Sequence, residues 1–131
     1  MNNTGTGEFC WNELATPDVK VAKDFYGKVC NWEFTEHDMG DTTYTMITCN
    51  GKDFGGMWQI PKDNPDHIPP HWMGYILVDN VEETLEKAKK AGAKVKMPVT
   101  MAGNFGRFAI IIDPVGAPIA FWESLSSCAT K

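Results

Sequence analysis

Pro61-Lys-Asp-Asn-Pro-Asp-His-Ile-Pro-Pro70 divides the chain into two stretches that repeat one order of elements. Four prolines in ten residues leave neither a helix nor a sheet interior possible there, so the segment reads as a linker. Downstream, His71–Val78 reads as a strand. Asn80 with Glu83 then makes a capping box for a helix that ends at Gly92. Three more strands come after it at Lys94–Val99, Phe108–Ile112 and Ala117–Glu123, and Ser124–Lys131 reads as a frayed polar tail.

Upstream, the same order appears. Phe9–Ala15 reads as a strand. Thr16-Pro17 opens a helix, with Thr16 as cap and Pro17 at the first helical position. Val19, Ala22, Phe25, Tyr26 and Val29 recur at helical spacing and form one apolar face. Asn31 ends the helix, since asparagine tolerates a left-handed backbone. Strands succeed it at Trp32–Glu36, Thr43–Cys49 and Phe54–Ile60, with a hairpin signal at Asn50-Gly51 and a weak spot at Gly55-Gly56. The chain is therefore strand-helix-strand-strand-strand written twice, about 62 to 65 residues apart. Trp11 falls opposite Met73, Asp18 opposite Asn80, and Gly51 opposite Gly116.

At 131 residues the chain fits one domain of class α+β, with module one at about 8–60, the linker at 61–70 and module two at about 71–124. Net charge is −5, and the lysines concentrated around 86–96 mix with Glu, which marks a solvated helix face and not a nucleic-acid footprint. No apolar run approaches a membrane span, and the N-terminus has no signal-peptide pattern. The four cysteines are far apart and lack a C-x-x-C, so they read as thiols of a cytoplasmic protein.

Leu14-Ala-Thr-Pro-Asp-Val, Phe25-Tyr26 with Val29 and Trp32, Val78-Asp-Asn-Val81, Ala91-Gly-Ala93 and Asp113-Pro-Val-Gly-Ala117 together resemble the glyoxalase/bleomycin-resistance (vicinal oxygen chelate) superfamily. The resemblance implies paired βαβββ modules whose mixed sheet curls around a cleft, with helices on the convex side. It also implies a homodimer. In metal-dependent members, His, Glu or Gln ligands sit on the first and last strand of each module. Here those positions fall on Trp11, Met73, Gly55 or Gly56, and Ala120. None offers a nitrogen or oxygen donor suited to a divalent cation. The expectation is therefore no metal, no other cofactor, and a small organic ligand in the cleft. The alternative is a glyoxalase-type lyase, isomerase or dioxygenase, with Glu13 as acid/base or with a divalent metal after all.

Strand alternation assigns the cleft face. Trp11 and Met73 bring Glu13, His71 and Tyr75 with them, and Ala120 brings Trp122. Counting from Gly51 and Gly116 adds Tyr44, Met46 and Arg107. Leu14, Ile47, Ile76, Val78, Phe108, Ile110, Ile112, Ile119 and Phe121 then face the helices. Glu13 is either an acid/base or ligand acceptor, or a partner of Arg107. Trp11, Trp58 and Trp122 either stack on a ligand or fill space. Arg107 either holds an anionic group or makes a surface ion pair. His67 and His71 are i,i+4, but Ile68-Pro-Pro70 between them forbids the helix that would align a metal pair.

Overall fold

A computed structural model describes residues 6–38, 40 and 43–125. Its eight strands and two helices run β1 (Phe9–Thr16), α1 (Val19–Cys30), β2 (Glu33–Asp38), β3 (Thr43–Cys49), β4 (Lys52–Gln59), β5 (His71–Leu77), α2 (Val81–Lys90), β6 (Lys94–Ala102), β7 (Gly106–Ile112) and β8 (Pro118–Ser124). The class is α+β, and the doubled βαβββ order is the one read from the sequence. The chain separates into two compact units. One is Trp11–Met73, and the other joins the residues up to Cys10 with those from Gly74 onward.

In the Trp11–Met73 unit the strand order is β2-β3-β4-β1, antiparallel except for the parallel pair of β1 with β4. Helix α1 lies over Leu14, Ile47 and Met57 and adds Val19, Ala22 and Tyr26 to that core. The apolar stripe of α1 is wider than the surface it covers: Phe25 and Val29 stay 53% and 63% exposed. The cap is Asp18, whose carboxylate accepts the Val21 N–H, while the Asp18 N–H donates to the Thr16 hydroxyl. Thr16 therefore ends β1 and does not cap α1, and Pro17 precedes the cap. Asn31 closes the helix in the left-handed region at φ 59°.

The linker is folded back on itself. Asn64 accepts the Ile68 N–H through its side-chain oxygen and donates to the Ile68 carbonyl, so the turn is held by one residue. His67 sits in that turn at φ 53°. Beyond it, Trp72 packs edge-on to Tyr26 and Trp32, whose rings stack at 5.1 Å, and its indole N–H donates to the Tyr26 hydroxyl. The start of β5 is thereby anchored on the aromatic residues in and just after α1.

In the other unit the order is β5-β8-β7-β6, with β5 and β8 parallel. The residues just before β1 join the end of β5 here, with Gly7 donating to Leu77 and Leu77 to Glu8. Asn80 caps α2 by accepting the Glu83 N–H. Val81 and Leu85 of α2 bury against Val78, Ala109 and Ile111, flanked by Ile76, Ile119 and Phe121. This corrects the reading of β7. Ala109 and Ile111 form the helix-side core, so Phe108, Ile110 and Ile112 take the opposite face and Arg107 takes the helix face. Of the stretch expected as a frayed tail, Ser124 belongs to β8 and Leu125 donates to the Phe105 carbonyl, and residues 126–131 lie outside the described residues.

Candidate functional site

Four expected site residues come together on one face of the Trp11–Met73 unit. On β1, Trp11 and Glu13 alternate with Leu14's buried side. Glu13 lies opposite Gly56 of β4, and Gly56 lies opposite Met46 of β3. Tyr44, two residues before Met46, reaches across to β1. The Trp11 Nε1–H donates to Tyr44 Oη at 3.0 Å, and the Tyr44 hydroxyl donates to Glu13 Oε2 at 2.9 Å. All four side chains are half-buried. Trp58 lies two residues beyond Gly56 on the same side of β4 and remains 39% exposed.

Burial raises the Tyr44 pKa far above the usual phenol range, and the neighbouring Glu13 charge pushes the same way, outweighing the indole hydrogen bond that favours the phenolate. Tyr44 is therefore held in its protonated form, as the donor to Glu13. A raised folded-state pKa means stability is intact below the free phenol value and is lost as pH rises above it. In a spectrophotometric titration of the three tyrosines, at least one phenol is expected to stay protonated past about pH 11, where free tyrosine is ionised, until the chain unfolds. Tyr44→Phe should remove that late step. Titration of all three tyrosines near the free value in folded protein would refute the assignment.

The Gly56 position explains how Tyr44 fits. A Cβ built there would lie 1.7 Å from Tyr44 Oη and 2.1 Å from Cζ. Gly55 faces the other way, and a Cβ there would meet the Asn12 carbonyl oxygen at 2.2 Å. Read from sequence, the two glycines weaken β4. Glycines inside an apolar strand also signal close approach of a neighbour, and that is their role here.

His71 is half-buried, and its Nδ1 lies 2.8 Å from the Pro69 carbonyl, whereas Met73 is buried. In the other unit, Tyr75 packs at 6.2 Å from Phe108 and 6.5 Å from Trp122. Trp122 lies over Gly106, where a Cβ would meet the indole at 2.6 Å. Phe108 is a member of this aromatic face that sequence reasoning missed. Arg107 is on the opposite face, bound to Glu123 at 2.6 Å and near Glu82 at 3.6 Å. It makes the ion pair and belongs to neither aromatic face. Cys10, whose thiol donates to the Tyr75 carbonyl, is pushed by burial to a pKa of about 11 and is a poor nucleophile.

A family model described as the Glyoxalase/Bleomycin resistance protein/Dioxygenase superfamily matches residues 9–121. The chain belongs to this superfamily. Two curated relatives, from Mycobacterium bovis and Mycobacterium tuberculosis and provisionally named glyoxylase CFP32, are 34% identical over 116 residues. The match takes in 87% of this chain but 44% of theirs, so the chain spans less than half the length of these relatives. Among solved structures, methylmalonyl-CoA epimerase from Mycobacterium tuberculosis superposes with a TM-score of 0.68 at 14% identity, covering 100% of this chain and 97% of that one. The Mn(II)-bound glyoxalase from Novosphingobium aromaticivorans gives 0.62 at 14% identity, over 92% of this chain and 40% of that one. At such identities the structures show a shared fold alone. Among the described residues, no helix is long and apolar enough to cross a membrane.

The superfamily fold raises the question of a divalent metal, and the donor set answers poorly. On the Trp11 face, β1 offers an indole whose N–H is already donated, and β4 offers Gly56. Ala120, fully buried opposite Tyr75, has no donor atom, and Met73 has only a soft thioether. Among the described residues, no three His, Cys, Asp or Glu side chains converge as a ligand group.

Proposed function

We propose that the chain binds a small organic ligand on the face carrying Trp11, Glu13, Tyr44 and Met46, and that it does so without a divalent metal. The hydrogen-bond chain from Trp11 through Tyr44 to Glu13 carries this reading. Both proton donors in the chain are spent internally. The Glu13 carboxylate and the Tyr44 oxygen give the constellation an acceptor character. Around them stand an indole, a phenol ring and a thioether, the mixture of apolar wall and few polar groups that small-molecule sites use. The ligand class that fits is a flat organic molecule with N–H or O–H donors, and not an oxyanion.

A second reading is a metal-free isomerase or lyase in which Glu13 moves a proton. It is favoured by the Tyr44 hydrogen bond, which holds a half-buried carboxylate in place as an acceptor. The relatives named epimerase and glyoxalase support an enzyme of this general kind.

A matched pair of probes tests the binding reading. In titration calorimetry, 2-naphthylmethylamine should bind and 2-naphthoate should not. Glu13→Gln should weaken the amine about tenfold or more, equivalent to about 1.4 kcal/mol. Equal binding of the acid, or an unchanged affinity in Glu13→Gln, would sink the reading.

A further inference from the structure

Gly56 has no backbone need to be glycine. It is absent from the positive-φ residues, which include Gly51 and Gly116 at the turns. Its strand position is regular, in register with Glu13 on one side and Met46 on the other. What makes glycine necessary is the volume above it, which the Tyr44 phenol fills to within 1.7 Å of where a Cβ would stand. The phenol cannot swing aside cheaply. Its hydroxyl is pinned twice, accepting from Trp11 and donating to Glu13. A side chain on β4 directly opposite Glu13 would have to start through that Cβ position.

We propose that Tyr44 and Gly56 are an exchange pair: the Tyr44 phenol occupies the space that a ligating side chain on β4 opposite Glu13 would need, and its hydroxyl takes the place beside that carboxylate. This deepens the metal-free reading above and rests on it. It makes the specificity of the face depend on two residues acting together. With tyrosine at 44 the position at 56 must be empty, and with a ligating residue at 56 the tyrosine must go. Trp11 joins the device by supplying the donor that fixes the phenol's orientation.

A double-mutant cycle tests the pair. Gly56→Ala is expected to lower the thermal midpoint strongly, because the methyl and the pinned ring cannot share the site. Tyr44→Ala opens a gap and lowers the midpoint by itself. The combined variant should be no less stable than Tyr44→Ala alone, a strong positive coupling between contacting residues. If Gly56→Ala fails to fold alone, recovery of soluble folded protein in the combined variant gives the same result. Additive losses, or a combined variant worse than both, would overturn the exchange pair. Calorimetric titration of the wild-type chain with manganese(II) separates this from the reading beneath it. Additivity with no manganese uptake overturns the pair and leaves the metal-free reading standing. Coupling with no uptake supports both. Stoichiometric uptake by the wild type overturns the metal-free reading and, with it, the pair that rests on it, whatever the cycle gives.

Discussion

Gly55→Ala is expected to lose roughly 3 kcal/mol or more of stability, on the order of 10 °C in Tm for a chain of this size. Two effects compete. Removing a glycine from a strand restricts the unfolded chain and on its own stabilises by about 0.4–1 kcal/mol. Against this, the new methyl would stand 2.2 Å from the Asn12 carbonyl oxygen, a backbone atom with no rotamer to move to. Relief requires β1 and β4 to part, and that pair is the parallel join that carries Asn12↔Gly55 and Glu13↔Gly56. The clash therefore wins by several-fold. The control is Gly27 in α1, where an added Cβ would meet Phe34 at an ordinary 3.5 Å. Gly27→Ala should raise stability by about 0.5–1 kcal/mol, since glycine disfavours a helix interior. Urea unfolding of the two variants side by side checks both signs. A Gly55→Ala protein as stable as wild type would mean that the β1–β4 register is not the one described.

Much of the fold was legible because its signals are local. The Asn80 cap, the Asn31 stop, the Asn50-Gly51 turn and the proline-rich stretch each report a backbone requirement within a few residues. The face of each strand was legible only where polar and apolar residues alternate. On β1, Trp11 and Glu13 oppose Asn12 and Leu14, and the face assignment stands. On β7, Phe108 to Ile112 is apolar throughout, so its parity rests on the turn glycines alone. That inference fails because the two turns differ by an odd number of residues: Cys49 pairs with Lys52 across two residues, whereas Ile112 pairs with Pro118 across five. A one-residue slip in the count exchanges the two faces, which puts Arg107 on the side opposite to the expected one and brings Phe108 to the aromatic face. The hydrogen bond from Tyr44 to Glu13 joins residues 31 apart, and no periodicity reports such a pair. The hint was Gly56, a gap in an apolar strand waiting for a neighbour.

Arg107, once moved to the helix face, gives the second large expected effect, through its partner. Glu123 Oε1 accepts from Arg107 and also from the Val81 N–H at 2.9 Å. Val81 is the first residue of α2 and is fully buried, so its N–H has no water to turn to. Glu123→Ala should therefore cost about 1–3 kcal/mol, the penalty for leaving a buried donor without an acceptor. Glu123→Gln keeps an oxygen for Val81 and should cost less. The two variants also differ from wild type in acid. Burial pushes the Glu123 pKa up, but the Val81 N–H and the Arg107 guanidinium outweigh it and leave the value below the ordinary range. A depressed folded-state pKa contributes stability that is present above the unfolded value and disappears as pH falls through the folded one. Wild-type stability should thus decline below about pH 4.5, and Glu123→Gln should flatten part of that decline. Asp113 will keep some slope, because the Ala117 and Val115 amides hold its pKa down as well. Urea midpoints measured from neutral pH down to about pH 3 decide the matter. If Glu123→Gln tracks the wild-type acid limb without change, the carboxylate is not the charged link between β8, Arg107 and the start of α2.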